Sequence, residues 1–311
     1  MVAGCAGSVT PPRASPTRST SATTTDTRPA TNTPPSISRT LVELDEPAPG
    51  SAYRNIPVYL FYLTPTPAAA APPKPLVVFS PGYDIDPLRY TPLLEAWARA
   101  GYLVAVPEYP YTTPGAPGGL DEADILNHPR DLAFVISQLT TPGSSLLPGG
   151  LQLTGPGDVA VAGHSDGGDV ALALTAAPCC RFFTPRAALI LSGAELASFG
   201  SDYFTRGSVP MLVVQGTADA INPPGCSTEI YNQDPDTKYY LSLEGADHLG
   251  PYTEVGPAAS VVAAVTIDFL NRFLRGDASG LTRAAVAGSG SLVSGGSVPQ
   301  APGGCPGAPE P

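Results

Sequence analysis

Val159-Ala160-Val161-Ala162-Gly163-His164-Ser165-Asp166-Gly167-Gly168-Asp169-Val170-Ala171-Leu172-Ala173-Leu174-Thr175-Ala176 changes character twice within one short run. Val159–Ala162 is apolar on both faces and bounded by glycine, the pattern of a strand buried inside a sheet. Asp169–Ala176, rich in Ala and Leu, reads as a helix. Between them lies the only Gly-x-Ser-x-Gly of the chain, Gly163-His164-Ser165-Asp166-Gly167. Glycines on both sides of the serine permit a turn too tight for a side chain, and the serine hydroxyl then projects beside a helix N-terminus. The motif alone is weak in a chain with 33 glycines; its place between strand and helix gives it weight.

The same alternation extends outward. Pro57–Tyr62, Leu76–Phe79, Leu103–Val106, Ala188–Leu191, Met211–Val214 and Tyr239–Ser242 read as short apolar strands, the first beginning after Pro57 because proline lacks an N–H. Leu88–Ala100, Ile125–Leu139 and Ala258–Leu274 read as helices, with Trp97 in the core. Alternating β and α segments predict an α/β fold, a mostly parallel central sheet flanked by helices.

The ends differ. Residues 1–40 read as a tether: after Cys5, residues 6–40 hold 16 Ser/Thr and 6 Pro with almost no large aliphatic side chains. Residues 288–311 read as a tail, 16 of the 24 being Gly, Pro or Ser. The folded domain is expected over 41–287. Val2-Ala3-Gly4-Cys5 fits a lipobox, although the charged and apolar segments that precede one are missing, so Cys5 is the expected lipidation site of an anchored or secreted, extracytoplasmic protein. The net charge of −11 argues against nucleic-acid binding. Neither a metal nor a cofactor is expected, and the chain is expected to be a monomer.

A serine nucleophile needs a base. His164 adjoins Ser165 and should point away from it, and His128 precedes it near a helix start; His248, in a loop after the last predicted strand, is the candidate. The acid that orients the imidazole is Asp219, just beyond Met211–Val214, 54 residues after the serine (219 − 165) and 29 before the histidine (248 − 219). Asp247 is the competitor and reads better as a turn-capping residue. The oxyanion donors are expected to be the backbone N–H groups of Asp166, next after the serine, and of Tyr83, in Ser80-Pro81-Gly82-Tyr83. Leu196 and Phe199 are expected substrate-lining residues, with burial beneath their own loop the alternative. Cys179, Cys180, Cys226 and Cys305 allow three pairings and sequence alone does not choose among them; in one, Cys179 or Cys180 meets Cys226 and Cys305 pins the tail to the other.

From about Pro57 to Leu274 the chain resembles the α/β-hydrolase superfamily, whose chain order Ser, Asp, His it shares. Phe79–Tyr83, Gly163–Gly168 and Asp219-Ala220-Ile221-Asn222-Pro223 are similar to the neighbourhood of cutinase-like polyester hydrolases, bacterial lipases, chlorophyllases and platelet-activating-factor acetylhydrolases. The resemblance implies a serine esterase or lipase acting on small-molecule, lipid or polyester esters, with Ser165, Asp219, His248 and Tyr83 in the family's roles. A peptidase or acyltransferase using the same triad is the alternative. The chain departs from the polyester hydrolases at Asp166, where they have methionine, and at Ser192-Gly193-Ala194, where they have tryptophan.

Overall fold

The computed structural model describes residues 36–47, 53–64, 72–281 and 290–305. The lipobox with Cys5 and nearly all of the proposed tether lie outside them. Among the described residues nine strands form one sheet: β1 (Ile37–Pro47), β2 (Tyr53–Leu63), β3 (Leu76–Ser80), β4 (Leu103–Pro107), β5 (Val159–His164), β6 (Ala187–Leu191), β7 (Met211–Gly216), β8 (Lys238–Leu243) and β9 (Gly290–Ser294). The helices are α1 (Thr91–Arg99), α2 (His128–Thr140), α3 (Asp166–Ala176), α4 (Pro224–Gln233), α5 (Gly250–Thr253) and α6 (Pro257–Arg275).

The strand order is β1-β2-β4-β3-β5-β6-β7-β8-β9. Strands β3 to β8 run parallel, while β1, β2 and β9 are antiparallel at the two edges. β3 to β7 are buried along their whole length, as a sheet covered on both faces requires. Successive strand residues feed opposite layers: Val77 and Phe79 pack with Trp97, Val262 and Phe269, whereas Val78 and Val161 pack with Leu132, Val170 and Ile230. Thus α1 and α6 cover one face and α2, α3 and α4 the other. Trp97 is fully buried as expected, and its indole N–H donates to Thr266 Oγ1 at 2.9 Å, tying α1 to α6.

Several boundaries depart from the sequence reading. β1 starts at Ile37, inside the expected tether, and β9 lies in the expected tail. β2 runs through Pro57 instead of starting after it. The Pro57 carbonyl accepts from Glu108 N–H at 2.8 Å. Its nitrogen therefore faces the same side, beyond the β2–β4 ladder that begins at Val58 and Pro107, where no strand partner needs a donor. The helix expected from Leu88 is a 3₁₀ turn, Pro87–Tyr90, capped by Asp86, followed by α1. The one expected from Ile125 is likewise a 3₁₀ turn over Glu122–Asn127 before α2. The cysteines pair as Cys179–Cys180 and Cys226–Cys305, so the tail is pinned to Cys226 and neither neighbouring cysteine reaches it.

Candidate active site

Ser165 sits between β5 and α3 with φ 55° and ψ −127°, a conformation rarely adopted by a residue with a side chain. Its neighbours make the turn possible. A Cβ on Gly163 would overlap the Gly167 carbonyl, and one on Gly167 would overlap the Ser80 carbonyl at the end of β3. The turn therefore packs backbone against backbone, and the serine hydroxyl faces the C-terminal edge of the parallel strands. That is where the loops of an open α/β sheet build their sites.

The loops after β7 and β8 bring the other two side chains to it. His248 Nε2 lies 2.9 Å from Ser165 Oγ, and His248 Nδ1 lies 2.8 Å from Asp219 Oδ2. All three residues are buried, at 9, 8 and 4% exposure for Ser165, His248 and Asp219, so these contacts are shielded from competing water. Asp219 is held as an anion. Burial pushes its carboxyl up, but the His248 hydrogen bond and charge outweigh that and leave its pKa below the usual value. Oδ1 accepts from the N–H groups of Ile221 at 3.0 Å and Asn222 at 2.9 Å.

Gln215 and Asn222, given no role in the sequence reading, fix this loop. Gln215 Nε2 donates to Asp219 Oδ2 at 3.1 Å, while its Oε1 accepts from Ser227 Oγ on α4 at 2.6 Å. Asn222 Nδ2 donates to the Ser192 carbonyl at 2.7 Å, joining the acid loop to the one after β6. The sequence hint of each was its position flanking a candidate acid, and Asn222 also stands in the Asp219–Pro223 stretch that carries the resemblance. Asp247 is exposed and its Oδ1 accepts from Gly250 N–H at 2.7 Å, the turn-capping part expected of it.

The loop carrying Tyr83 lies on the serine turn. A Cβ on Gly82 would come 3.1 Å from Ser165 Cβ and 3.2 Å from the His164 carbonyl, so glycine allows this close approach. The N–H groups on either side of Tyr83 are committed: Gly82 donates to Tyr90 Oη at 3.1 Å and Asp84 to the Thr112 carbonyl at 2.9 Å. Asp166 follows Ser165 as the first residue of α3, where a helix has no internal partner for its N–H. Its side-chain Oδ2 is buried with no hydrogen-bond partner. Burial, then the Glu122 charge, push this carboxyl up to about 7.

Leu196 and Phe199 are buried. Each is 4% exposed and packed with Tyr203, Val209 and Val170 in the α2–α3–α4 layer, because the loop after β6 folds its apolar side chains beneath itself. His128 is buried. Its ring stacks on Tyr109 at 3.7 Å in a cluster with Asp124 and Asp131. That trio has the donor types of a metal site, yet the Arg54 guanidinium already occupies both carboxylates, bonding Asp124 at 2.7 and 2.8 Å and Asp131 at 2.7 and 3.0 Å. Tyr109 Oη, 2.9 Å from Ser80 Oγ, connects this cluster to the base of the Tyr83 loop.

A hydroxyl bonded to an imidazole, itself bonded to a buried carboxylate, can lose its proton as it attacks an electrophilic carbon. No family model and no curated protein matches the sequence. Among solved structures, the chain is similar to the ferulic acid esterase from Streptomyces cinnamoneus, with TM-score 0.59 and 21% identity over 81% of this chain and 94% of that one. The strand order, the serine turn between β5 and α3 and this likeness agree that the chain has the α/β-hydrolase fold.

Proposed function

We propose that this protein is a serine carboxylic ester hydrolase. The observation that carries the reading is the unbroken chain Ser165 Oγ, His248 Nε2, His248 Nδ1, Asp219 Oδ2, with links of 2.9 and 2.8 Å on a strained turn. His248 takes the Ser165 proton as Oγ bonds to the ester carbonyl carbon. The N–H groups of Tyr83 and Asp166 stabilise the oxyanion, and His248 gives the proton to the departing alcohol. Water, deprotonated by His248, then attacks the acyl-enzyme, and the acid leaves as Ser165 recovers its proton. Asp219 remains ionised and orients the ring throughout. The ferulic acid esterase likeness supports an ester substrate, and the two disulfides support an oxidising, extracytoplasmic setting.

Initial rates on p-nitrophenyl esters from acetate to palmitate, and on methyl ferulate, test this with Ser165→Ala alongside. We expect the wild type to turn over at least one series and the variant to lose about a thousandfold or more. Equal background rates for both proteins would remove the esterase reading.

A further inference from the structure

His164 precedes the nucleophile, is fully buried, and belongs to neither the triad nor the oxyanion pair. Both of its ring nitrogens are nevertheless engaged. Nε2 lies 2.8 Å from the backbone carbonyl of His248, and Nδ1 lies 2.8 Å from Tyr90 Oη. Tyr90, also fully buried, receives the Gly82 N–H on the same oxygen at 3.1 Å. The ring further packs against His248 and Tyr252, with centroids 4.6 Å apart in each case.

The chemistry of the end groups fixes every proton in this chain. A carbonyl oxygen only accepts, so His164 carries its proton on Nε2. Burial, and then the charge of His248, push the His164 pKa down to about 3, so the ring is neutral and Nδ1 is a bare acceptor. Tyr90 must therefore donate to Nδ1, which leaves its oxygen lone pairs for Gly82. The sequence of donors is Gly82 N–H to Tyr90 O–H to His164, then His164 Nε2–H to the His248 carbonyl. One end is the residue before Tyr83 and the other is the base itself.

We infer that Tyr90 and His164 are positioning residues, a buried relay of fixed polarity that sets the distance between the loop bearing the base and the loop bearing the oxyanion donor. This deepens the esterase reading and rests on it for its kinetic consequence. The two loops leave the sheet from β3 and β8, which are not adjacent strands, and both must meet one tetrahedral centre. Misplacement by about 1 Å is enough to cost on the order of a hundredfold in rate.

The experiment compares Tyr90→Phe, His164→Leu and His164→Gln with the wild type, measuring kcat, KM, the melting transition and the affinity of a trifluoromethyl ketone that mimics the tetrahedral adduct. Phenylalanine keeps the Tyr90 ring against Phe79, 4.6 Å away, so the fold is disturbed little. We expect Tyr90→Phe and His164→Leu to lower kcat about tenfold or more, with KM within about threefold and ketone affinity falling in parallel. Glutamine, whose amide can donate in place of Nε2, restores most of the loss relative to leucine. Rates of Tyr90→Phe and His164→Leu within about twofold of wild type, or losses that follow melting with ketone affinity unchanged, would overturn the inference. If the wild type cleaves no ester, the esterase reading fails by itself, and the ¹⁵N shifts of the histidine rings decide the relay. A neutral Nε2–H ring for His164 at neutral pH supports it, and an Nδ1–H or charged ring refutes it.

Discussion

Asp166 places an acid where developing negative charge must be stabilised. Its N–H is the proposed oxyanion donor, and its carboxyl, raised by burial and Glu122 to about 7, lies on the same residue with Oδ2 buried and without a hydrogen-bond partner. Below that pH the group is neutral. Above it, a carboxylate both repels the oxyanion and competes for the donor, so ionisation should slow acylation. The ratio of wild-type to Asp166→Asn kcat/KM is therefore expected to fall by roughly tenfold as pH rises through about 7. Taking the ratio cancels the titration of groups common to both proteins, and a ratio flat in pH would refute the prediction. The stability sign follows from the same shift. The unfolded chain loses this proton at lower pH than the folded one, so Asn should stabilise the protein at neutral pH relative to Asp. At this scale Ser165, Asp219 and His248, the three residues of the proposed triad, stood out in sequence because each follows an apolar strand. Gln215, Asn222 and Tyr90 did not, since their roles depend on distances between loops that spacing does not encode. Sequence leaves both readings of Leu196 and Phe199 open for a related reason: an apolar loop residue looks alike whether it lines a cleft or packs beneath its own backbone.

At the scale of elements, the serine turn is where β3, β5 and α3 come within backbone contact. Gly167 occupies the first turn of α3, where Gly→Ala ordinarily stabilises a helix by about 1 kcal/mol. Here the added Cβ meets the Ser80 and Pro81 carbonyls, which cannot rotate away as a side chain would. Gly167→Ala is expected to reverse the usual sign, destabilising by roughly 2 kcal/mol or more and displacing the Tyr83 loop, so that activity falls even well below the melting temperature. Urea unfolding together with ester rates checks both halves; a variant as stable and active as wild type would show that the contact relaxes freely. The inner strands were readable because burial on both faces makes them continuously apolar. The edge strands were not. β1 alternates half-buried and exposed positions in a Ser/Thr/Glu-containing stretch, and β9 is drawn from Gly, Ser, Leu and Val in a Gly-rich tail. Both gain their order by pairing with a strand already in place, a tertiary effect with little local signature. α4, opening with Pro224-Gly225-Cys226-Ser227, has loop-like composition and is held by what packs on it.

What packs on α4 is the end of the described chain, and this links the molecule's periphery to its chemistry. Cys305 is joined to the fully buried Cys226 across a sequence separation of 79. The intervening tail also bonds α4 directly: Asn232 exchanges hydrogen bonds with the Val298 backbone at 2.9 and 3.0 Å, and Tyr231 Oη donates to the Gly295 carbonyl at 2.6 Å. α4 in turn follows the Asp219 loop and supplies Ser227 to Gln215, whose amide holds the acid. A cross-link closing so long a loop is worth about 2–4 kcal/mol, chiefly by restricting the unfolded chain. The hydrogen bonds of the tail survive its loss, so the native site should survive as well. The double variant Cys226→Ala, Cys305→Ser is thus expected to melt several degrees lower while retaining ester rates within about twofold at temperatures well below its transition. Reductant should lower the wild-type transition towards that of the variant. Loss of activity at low temperature, before any melting, would mean instead that the bond holds the acid loop in place in the native state.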